Sequence, residues 1–175
     1  MGKGCRGVQG ACFRSLAALG FLFAAHDGAG AAVLRQVHFN VAPGQIVISQ
    51  HLRTLFYVLP NDQAIAYRVA VPKAGKEWRG IAHVDAKYIR PAWSPPASVL
   101  RDIPNLPPVI AGGSPHNPMG VRALSLDRSE IAIHGTNRPA SIGRAVSYGC
   151  IRMLNSDVRD LYQRVGVGTT VIMVP

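Results

Sequence analysis

Residues 131–155, IAIHGTNRPASIGRAVSYGCIRMLN, place a histidine, His134, sixteen residues before a cysteine, Cys150. Gly149 directly precedes the cysteine, and Arg152 follows it two residues later. A nearby imidazole or guanidinium favours the thiolate, which is the nucleophilic form of cysteine. The stretch therefore predicts a reactive thiol at Cys150.

The first thirty-one residues have the pattern of a secretory signal peptide. Lys3, Arg6 and Arg14 precede an apolar run, LAALGFLFAA at 16–25, and small residues follow at 29–31. A run of this length is too short for a bilayer, which takes about 20 residues. We predict a signal peptide at 1–31, with an uncleaved anchor as the alternative, and one exported, soluble domain at 32–175.

Cleavage at this point would leave the mature chain with a single cysteine. Cys5 and Cys12 lie in the predicted signal peptide, so that only Cys150 remains. In an oxidising compartment, one cysteine is either an intermolecular bridge or a free reactive thiol. A buried structural cysteine is the remaining interpretation, and tetrahedral zinc sites usually need two thiolates or more. We favour the reactive thiol.

The charge is strongly positive, with 19 Lys and Arg against 9 Asp and Glu. These basic residues are scattered singly, without a basic run or a recognisable nucleic-acid module. We therefore predict no nucleic-acid binding, and the charge suits an anionic polymer or peptide substrate better.

The chain after residue 43 is mostly β in its pattern. Short β-branched and aromatic runs at 45–49 and 54–59 predict a hairpin, and residues 65–71 alternate, with Ala66, Arg68 and Ala70 on the more polar face. Strands are also predicted at 122–126, 131–134 and 169–174. One helix is predicted from the apolar stripe of Val158, Leu161, Tyr162 and Val165, with Asn155 or Ser156 as its cap and Gly166 at its end.

The middle of the chain, residues 72–120, holds nine of the thirteen prolines. Prolines confine strands to edges, so we expect only short edge strands at 81–84 and 88–89. Trp78 and Trp93 would be costly to expose, which favours an ordered loop that forms the wall of a cleft. The other histidines, His38, His51, His83 and His116, are interpreted as surface or loop residues.

The chemistry expected of the pair follows from ordinary pKa values. A thiol with a pKa near 8.5 is only slightly ionised at neutral pH, so His134 would take its proton to give a thiolate–imidazolium pair. Backbone N–H groups around Gly149 and Cys150 are candidate oxyanion donors. No carboxylate lies next to His134 in sequence, so a backbone carbonyl can orient the ring instead. Arg152 would bind a substrate carboxylate or pair internally, and we favour the first.

Four segments carry a resemblance to a known family. HGTN at 134–137 followed by SYGCIRMLN at 147–155 resembles the L,D-transpeptidase (YkuD-type) family of peptidoglycan cross-linking enzymes. PGQIVIS at 43–49 and NPMGVRAL at 117–124 are similar to the family's opening strand and its Asn-Pro-hydrophobic-Gly loop. The resemblance implies a mainly β fold, an antiparallel β-sandwich or barrel-like sheet, with one or two short helices and a long loop forming a cleft wall.

The resemblance also implies roles for individual residues. Cys150 would be the nucleophile, His134 the base and the Gly135 carbonyl the group that orients it. The surrounding residues would form the turn, the oxyanion hole and the contact with an acidic stem peptide: Ser147, Gly149 and Arg152. Tyr148 is a departure, because many members carry a second histidine there; a tyrosine can still donate a hydrogen bond or line the pocket.

The implied reaction is peptidoglycan cross-linking in the periplasm or cell wall. The thiolate would attack the bond between the L-centre of diaminopimelate and the D-alanine of a tetrapeptide stem. The thioester would then pass to an amine, forming a 3→3 cross-link or attaching a wall protein. No metal or organic cofactor is implied, and we expect a monomer. The alternatives are an L,D-carboxypeptidase that uses water as the acceptor and a non-catalytic peptidoglycan-binding module.

Overall fold

The computed structural model describes residues 32–37 and 39–175. The predicted signal peptide, with Cys5 and Cys12, and His38 lie outside the described residues. In chain order the elements are β1 (Val33–Gln36), β2 (Ile46–Ser49), β3 (Thr54–Leu59), β4 (Gln63–Arg68), β5 (Val71–Pro72), β6 (Gly80–Ile89), α1 (Ala97–Asp102), β7 (Arg122–Leu126), β8 (Ala132–His134), a 3₁₀ turn (Pro139–Ser141), β9 (Ala145–Ser147), β10 (Ile151–Arg152), α2 (Asn155–Arg164) and β11 (Thr170–Val174).

Nine of these strands form one sheet in the order β1-β4-β3-β2-β11-β6-β7-β8-β10, and β5 pairs with β9. The predicted hairpin is β2 with β3. Most ladders are antiparallel, but β11 runs parallel to β2, β10 to β8 and β5 to β9. The mainly β fold with two short helices is confirmed. The parallel ladders were not foreseen, because side chains alternate with a period of two in both kinds of sheet.

The structure corrects the prediction for the segment from 81 to 89. Instead of two short edge strands, β6 is one continuous strand that lies between β11 and β7. The nearest prolines, Pro72 and Pro91, flank the strand and none falls inside it. Every residue of β6 therefore keeps its N–H, and the strand can occupy the interior of the sheet.

The alternating segment around residue 68 is also interrupted. β4 ends at Arg68, and Ala70 then forms an isolated antiparallel bridge with Arg152. Tyr67, Val69 and Val71 are buried on one face as predicted, but Ala70 is buried as well. The bridge explains this, because it covers Ala70 with the strand that follows the candidate nucleophile.

The main hydrophobic core lies between the sheet and α2. The predicted stripe supplies Val158, Leu161 and Val165 to this buried cluster, with Tyr162 packed at its margin. At the helix C-terminus, the Lys87 ammonium donates to the carbonyls of Tyr162 and Val165, at 2.7 and 2.6 Å. A cation at this end satisfies carbonyls that the helix leaves free.

The proline-rich segment is ordered and lines a cleft, as predicted. Asn117 is buried and holds it together: its Nδ2 donates to the carbonyls of Pro91, Ile110 and Ala111. Its Oδ1 accepts from the backbone N–H of Met119 at 2.8 Å. This buried amide satisfies backbone groups of a segment in which prolines limit regular ladders, beside the isolated bridge between Trp93 and Ile110.

Candidate active site

His134 and Cys150 meet because β8 and β10 lie side by side. His134 is the last residue of β8, and β10 begins directly after Cys150. The parallel register sets Arg152 opposite His134, and the N–H of Met153 donates to the His134 carbonyl at 2.8 Å. His134, Cys150 and Arg152 line one cleft, together with Ser147.

The His134 ring is held in one orientation. Its Nδ1 lies 2.6 Å from the carbonyl oxygen of Gly135, so Nδ1 carries the proton and Nε2 is left as an acceptor. The side chain is only 3% exposed. Burial, assisted by the charge of Arg152, lowers the pKa of His134 to about 4, although the backbones of Gly135 and Pro118 act in the opposite direction. His134 is therefore a neutral imidazole at pH 7.

Cys150 is the one cysteine in the part of the chain that the structure describes, and it is free. Burial raises the pKa of its thiol, and Glu130 adds to this, while the Ala132 backbone and the Arg152 guanidinium lower it. Both pKa shifts favour a neutral thiol beside a neutral imidazole over the thiolate–imidazolium pair expected from the sequence.

Three contacts shape the turn that presents Cys150. The Ser147 hydroxyl donates to the Cys150 carbonyl at 2.5 Å, and the Gly149 N–H donates to the Ser147 Oγ at 3.4 Å. Trp78 donates its indole N–H to the Gly149 carbonyl at 3.0 Å. Gly149 has a φ of +127°, a conformation that requires glycine. Trp78 was predicted only as a buried ring, and its contact with the turn was missed.

Arg152 is fixed through its backbone and leaves its side chain available. Its N–H and carbonyl both pair with Ala70, at 2.9 and 2.8 Å. Within residues 32–37 and 39–175 its guanidinium has no ion pair or hydrogen bond. The side chain is half-buried in the cleft, next to Cys150.

Tyr148 connects the turn that holds Cys150 to the loop that walls the cleft. Its hydroxyl donates to the carboxylate of Asp102, the last residue of α1. Lys73 pairs with the same carboxylate at 2.9 Å, and its ammonium lies 3.9 Å from the centre of the Tyr148 ring. Tyr148 and Lys73 hold the pKa of Asp102 below its usual value. Asp102 and Lys73 carry no sequence signal for this role, because only the fold brings them to Tyr148.

The structure also corrects the role predicted for Asn155. Leu154 occupies the cap position of α2, and no side chain caps the helix. The Asn155 amide instead accepts from the N–H groups of Thr136 and Val121, at 3.1 and 3.3 Å, and donates to the Thr136 carbonyl at 3.0 Å. A Cβ at Gly135 would lie 2.2 Å from the Asn155 Oδ1. Gly135 thus leaves room for the amide that clamps the turn after His134.

Substituting Asn155 by Ala is expected to lower the free energy of unfolding by about 2 kcal/mol, because it leaves the backbone groups of Thr136 and Val121 without partners. Urea unfolding of the variant and the parent protein measures this. Asn137→Ala is the matched control, since the exposed Asn137 makes one hydrogen bond, to Pro115, and should change stability by less than about 0.5 kcal/mol. Equal stability of the two variants would contradict the clamp.

None of the other histidines that the structure describes lines this cleft. His83 pairs with Asp127 at 2.8 Å, and His51 and His116 are exposed. Among the described residues, no three His, Cys, Asp or Glu side chains are grouped so that they could hold a metal ion. No helix in the same part of the chain is long and apolar enough to cross a membrane.

Residues 43–173 match the model of the YkuD family, the L,D-transpeptidase catalytic domain. The chain therefore belongs to this family, and the resemblance seen in the sequence is confirmed. It is 34% identical over 140 residues to the Escherichia coli K12 protein named "Probable L,D-transpeptidase YbiS", covering 75% of this chain and 44% of that one. It is 36% identical over 138 residues to a Bacillus licheniformis relative that carries the name YkuD, covering 78% of each.

The fold is shared with solved structures at lower identity. An L,D-transpeptidase from Mycobacterium smegmatis superposes with a TM-score of 0.58 at 19% identity, covering 77% of this chain and 59% of that one. This similarity supports the fold of the domain. The chain spans less than half the length of its relative YbiS.

Proposed function

We propose that the protein is an L,D-transpeptidase that acts through a thioester on Cys150. The observation that carries the proposal is the placement of a neutral, oriented His134 and the free Cys150 in one cleft. Membership of the L,D-transpeptidase family supports the substrate that we propose, the tetrapeptide stem of peptidoglycan. A signal peptide at residues 1–31, as the sequence pattern predicts, would export the domain from the cytoplasm, and we propose that the exported protein acts as a monomer.

In the first half of the reaction, the Cys150 Sγ attacks the carbonyl carbon of the L-centre of diaminopimelate. The His134 Nε2 takes the thiol proton as the new S–C bond forms, and the backbone N–H of Cys150 donates to the oxyanion. The C–N bond to D-alanine then breaks, and the imidazolium returns its proton to the leaving amine. The Gly135 carbonyl keeps the ring in the required tautomer throughout.

In the second half, an acceptor amine attacks the thioester. His134 takes a proton from the amine and returns it to the thiolate that leaves, so Cys150 is regenerated. The acceptor is a second stem peptide or a wall-attached protein. Arg152, which has no internal ion pair within the described residues, binds a carboxylate of the stem bidentately. Ser147 and Gly149 shape the turn, and Tyr148 lines the cleft.

Incubation of the purified protein with tetrapeptide muropeptides tests the proposal. D-Alanine release with cross-linked dimers, followed by mass spectrometry, is the expected result. Tripeptides without dimers would show that water is the acceptor and that the protein is a hydrolase. If the wild type matches Cys150→Ala, with neither product nor acyl adduct, the site is not catalytic and a peptidoglycan-binding module is the better description.

Cys150 is also expected to be acylated by the carbapenem imipenem. One structural neighbour is an L,D-transpeptidase in complex with imipenem and another carries a faropenem-derived adduct. A strained lactam carbonyl offers the thiol the same electrophile as the stem peptide. Intact-mass measurement should show one added imipenem per chain, and peptide mapping should place it on Cys150. The same adduct on Cys150→Ala would contradict this.

A further inference from the structure

Trp78 stands apart from the cleft and yet contacts the turn that carries the nucleophile. It lies in the segment between β5 and β6, and its side chain is 8% exposed, within the main core. Its indole N–H donates to the Gly149 carbonyl at 3.0 Å. Trp93, not Trp78, lines the cleft itself. The hydrogen bond to Gly149 therefore links Trp78 directly to the turn that carries Cys150.

The indole ring is fixed on its face as well as at its edge. The guanidinium carbon of Arg128 lies 4.9 Å from the centre of the ring, within the range of a cation–π contact. Arg128 is itself held by a hydrogen bond from its Nη2 to the Arg79 carbonyl at 3.1 Å. The indole that donates to Gly149 is thus contacted both at its N–H and on the face of its ring.

The Gly149 carbonyl and the Cys150 N–H belong to one peptide group. The described chain contains no cis peptide bond, so this C=O and this N–H point in opposite directions. Holding the carbonyl therefore sets the direction of the N–H. The Cys150 N–H has no hydrogen-bond partner among the residues that the structure describes, and so it is free to donate to a ligand.

The conformational freedom of Gly149 would allow the Cys150 N–H to change direction. Gly149 has a φ of +127° and, without a Cβ, can reach other conformations at little cost. A rotation of the Gly149–Cys150 peptide plane would turn the Cys150 N–H away from the reacting carbonyl. The indole hydrogen bond opposes that rotation from the core side, and the Ser147 hydroxyl holds the next carbonyl, that of Cys150.

We propose that Trp78 is a positioning residue for the oxyanion hole: its indole N–H, by holding the Gly149 carbonyl, keeps the Cys150 N–H directed at the developing oxyanion. This inference rests on the proposed function, since it requires acyl transfer at Cys150. Losing an oxyanion donor outright costs about 10²–10³ in rate. Losing only the group that aims it should cost less, about tenfold.

The test compares two reactions of the same thiol in Trp78→Phe, which keeps an aromatic ring and loses the N–H. Acylation by imipenem forms an oxyanion, whereas alkylation by iodoacetamide displaces iodide from a saturated carbon and forms none. We expect the rate of acylation to fall about tenfold and the rate of alkylation to stay within about twofold. Tyr57→Phe is the matched control, because it removes a single hydrogen bond to a backbone carbonyl, that of Arg164, far from the cleft.

Three other outcomes would each overturn the positioning role, and one of them would also overturn the proposed function. Unchanged acylation in Trp78→Phe, with an acylated wild type, would overturn the positioning role alone. An equal fall in both reactions would also overturn it, because a change in thiol access, ionisation or folding would explain the loss. A wild type that is alkylated at Cys150 and not acylated would overturn the proposed function, and the positioning role with it.

Discussion

His134→Gln is expected to slow acylation of Cys150 by imipenem about 10²–10⁴-fold at pH 7, the usual contribution of a general base. Glutamine is similar in size and can still donate to the Gly135 carbonyl, but it cannot take the thiol proton. Because burial raises the pKa of Cys150, the variant must rely on a small fraction of free thiolate. Its rate should therefore increase about tenfold for each unit of pH below that pKa.

The acylation rate of the wild type should depend on pH much less than that of His134→Gln. This difference distinguishes a general base from a histidine that has only a structural role. The base must be unprotonated, and the pKa of His134 is lowered to about 4. The acylation rate should therefore change less than twofold between pH 7 and pH 5.5, whereas an ordinary histidine with a pKa near 6.5 would lose roughly eightfold. Imipenem acylation rates across this range measure it, with the exposed His51→Gln as the control. An eightfold loss in the wild type would show that His134 titrates normally.

The local motif was enough to predict that His134 lies at a strand end and that Cys150 lies in a turn beside a glycine. A run such as IAIH alternates cleanly and ends in a turn, so that a histidine at its end is presented rigidly whatever the neighbouring strand is. The cysteine follows a glycine in a short turn before a second strand. The strand end and the glycine turn are short-range properties of the sequence, whereas β10, which is only two residues long, was not predicted.

The supporting contacts could not be predicted, because they join segments far apart in the chain. Asn155 at a helix start is a normal cap by sequence, and only the fold shows that its amide has better partners at Thr136 and Val121. Trp78 reaches Gly149 across 71 residues of sequence. The interior position of β6 depends on β11, which follows it by some eighty residues. The hydrophobic pattern predicts on which face of a strand or helix a residue lies, but not which distant segment it contacts.

The free energy of unfolding should decrease by about 3 kcal/mol as the pH falls from 6.5 to 4, through His134 alone. Its pKa is about 4 in the folded protein, against an ordinary histidine value of 6.5. Between these values the unfolded chain binds the proton and the folded protein does not, so stability increases with pH across the window and is lost on acidification. Asp157 opposes this, because burial raises the pKa of its carboxyl and its protonation favours the folded state.

The carboxylates with lowered pKa values contribute mainly below this window, and they are Asp102, Asp127 and Asp160. Urea unfolding at several pH values between 7 and 4, on the wild type and on His134→Gln, isolates the histidine. The free energy of unfolding of the wild type should fall more steeply than that of the variant. The difference between the two proteins should change by about 3 kcal/mol between pH 7 and pH 4. Parallel curves would show that His134 is not held neutral by burial, and the proton acceptor assigned to the reaction would then lack its physical basis.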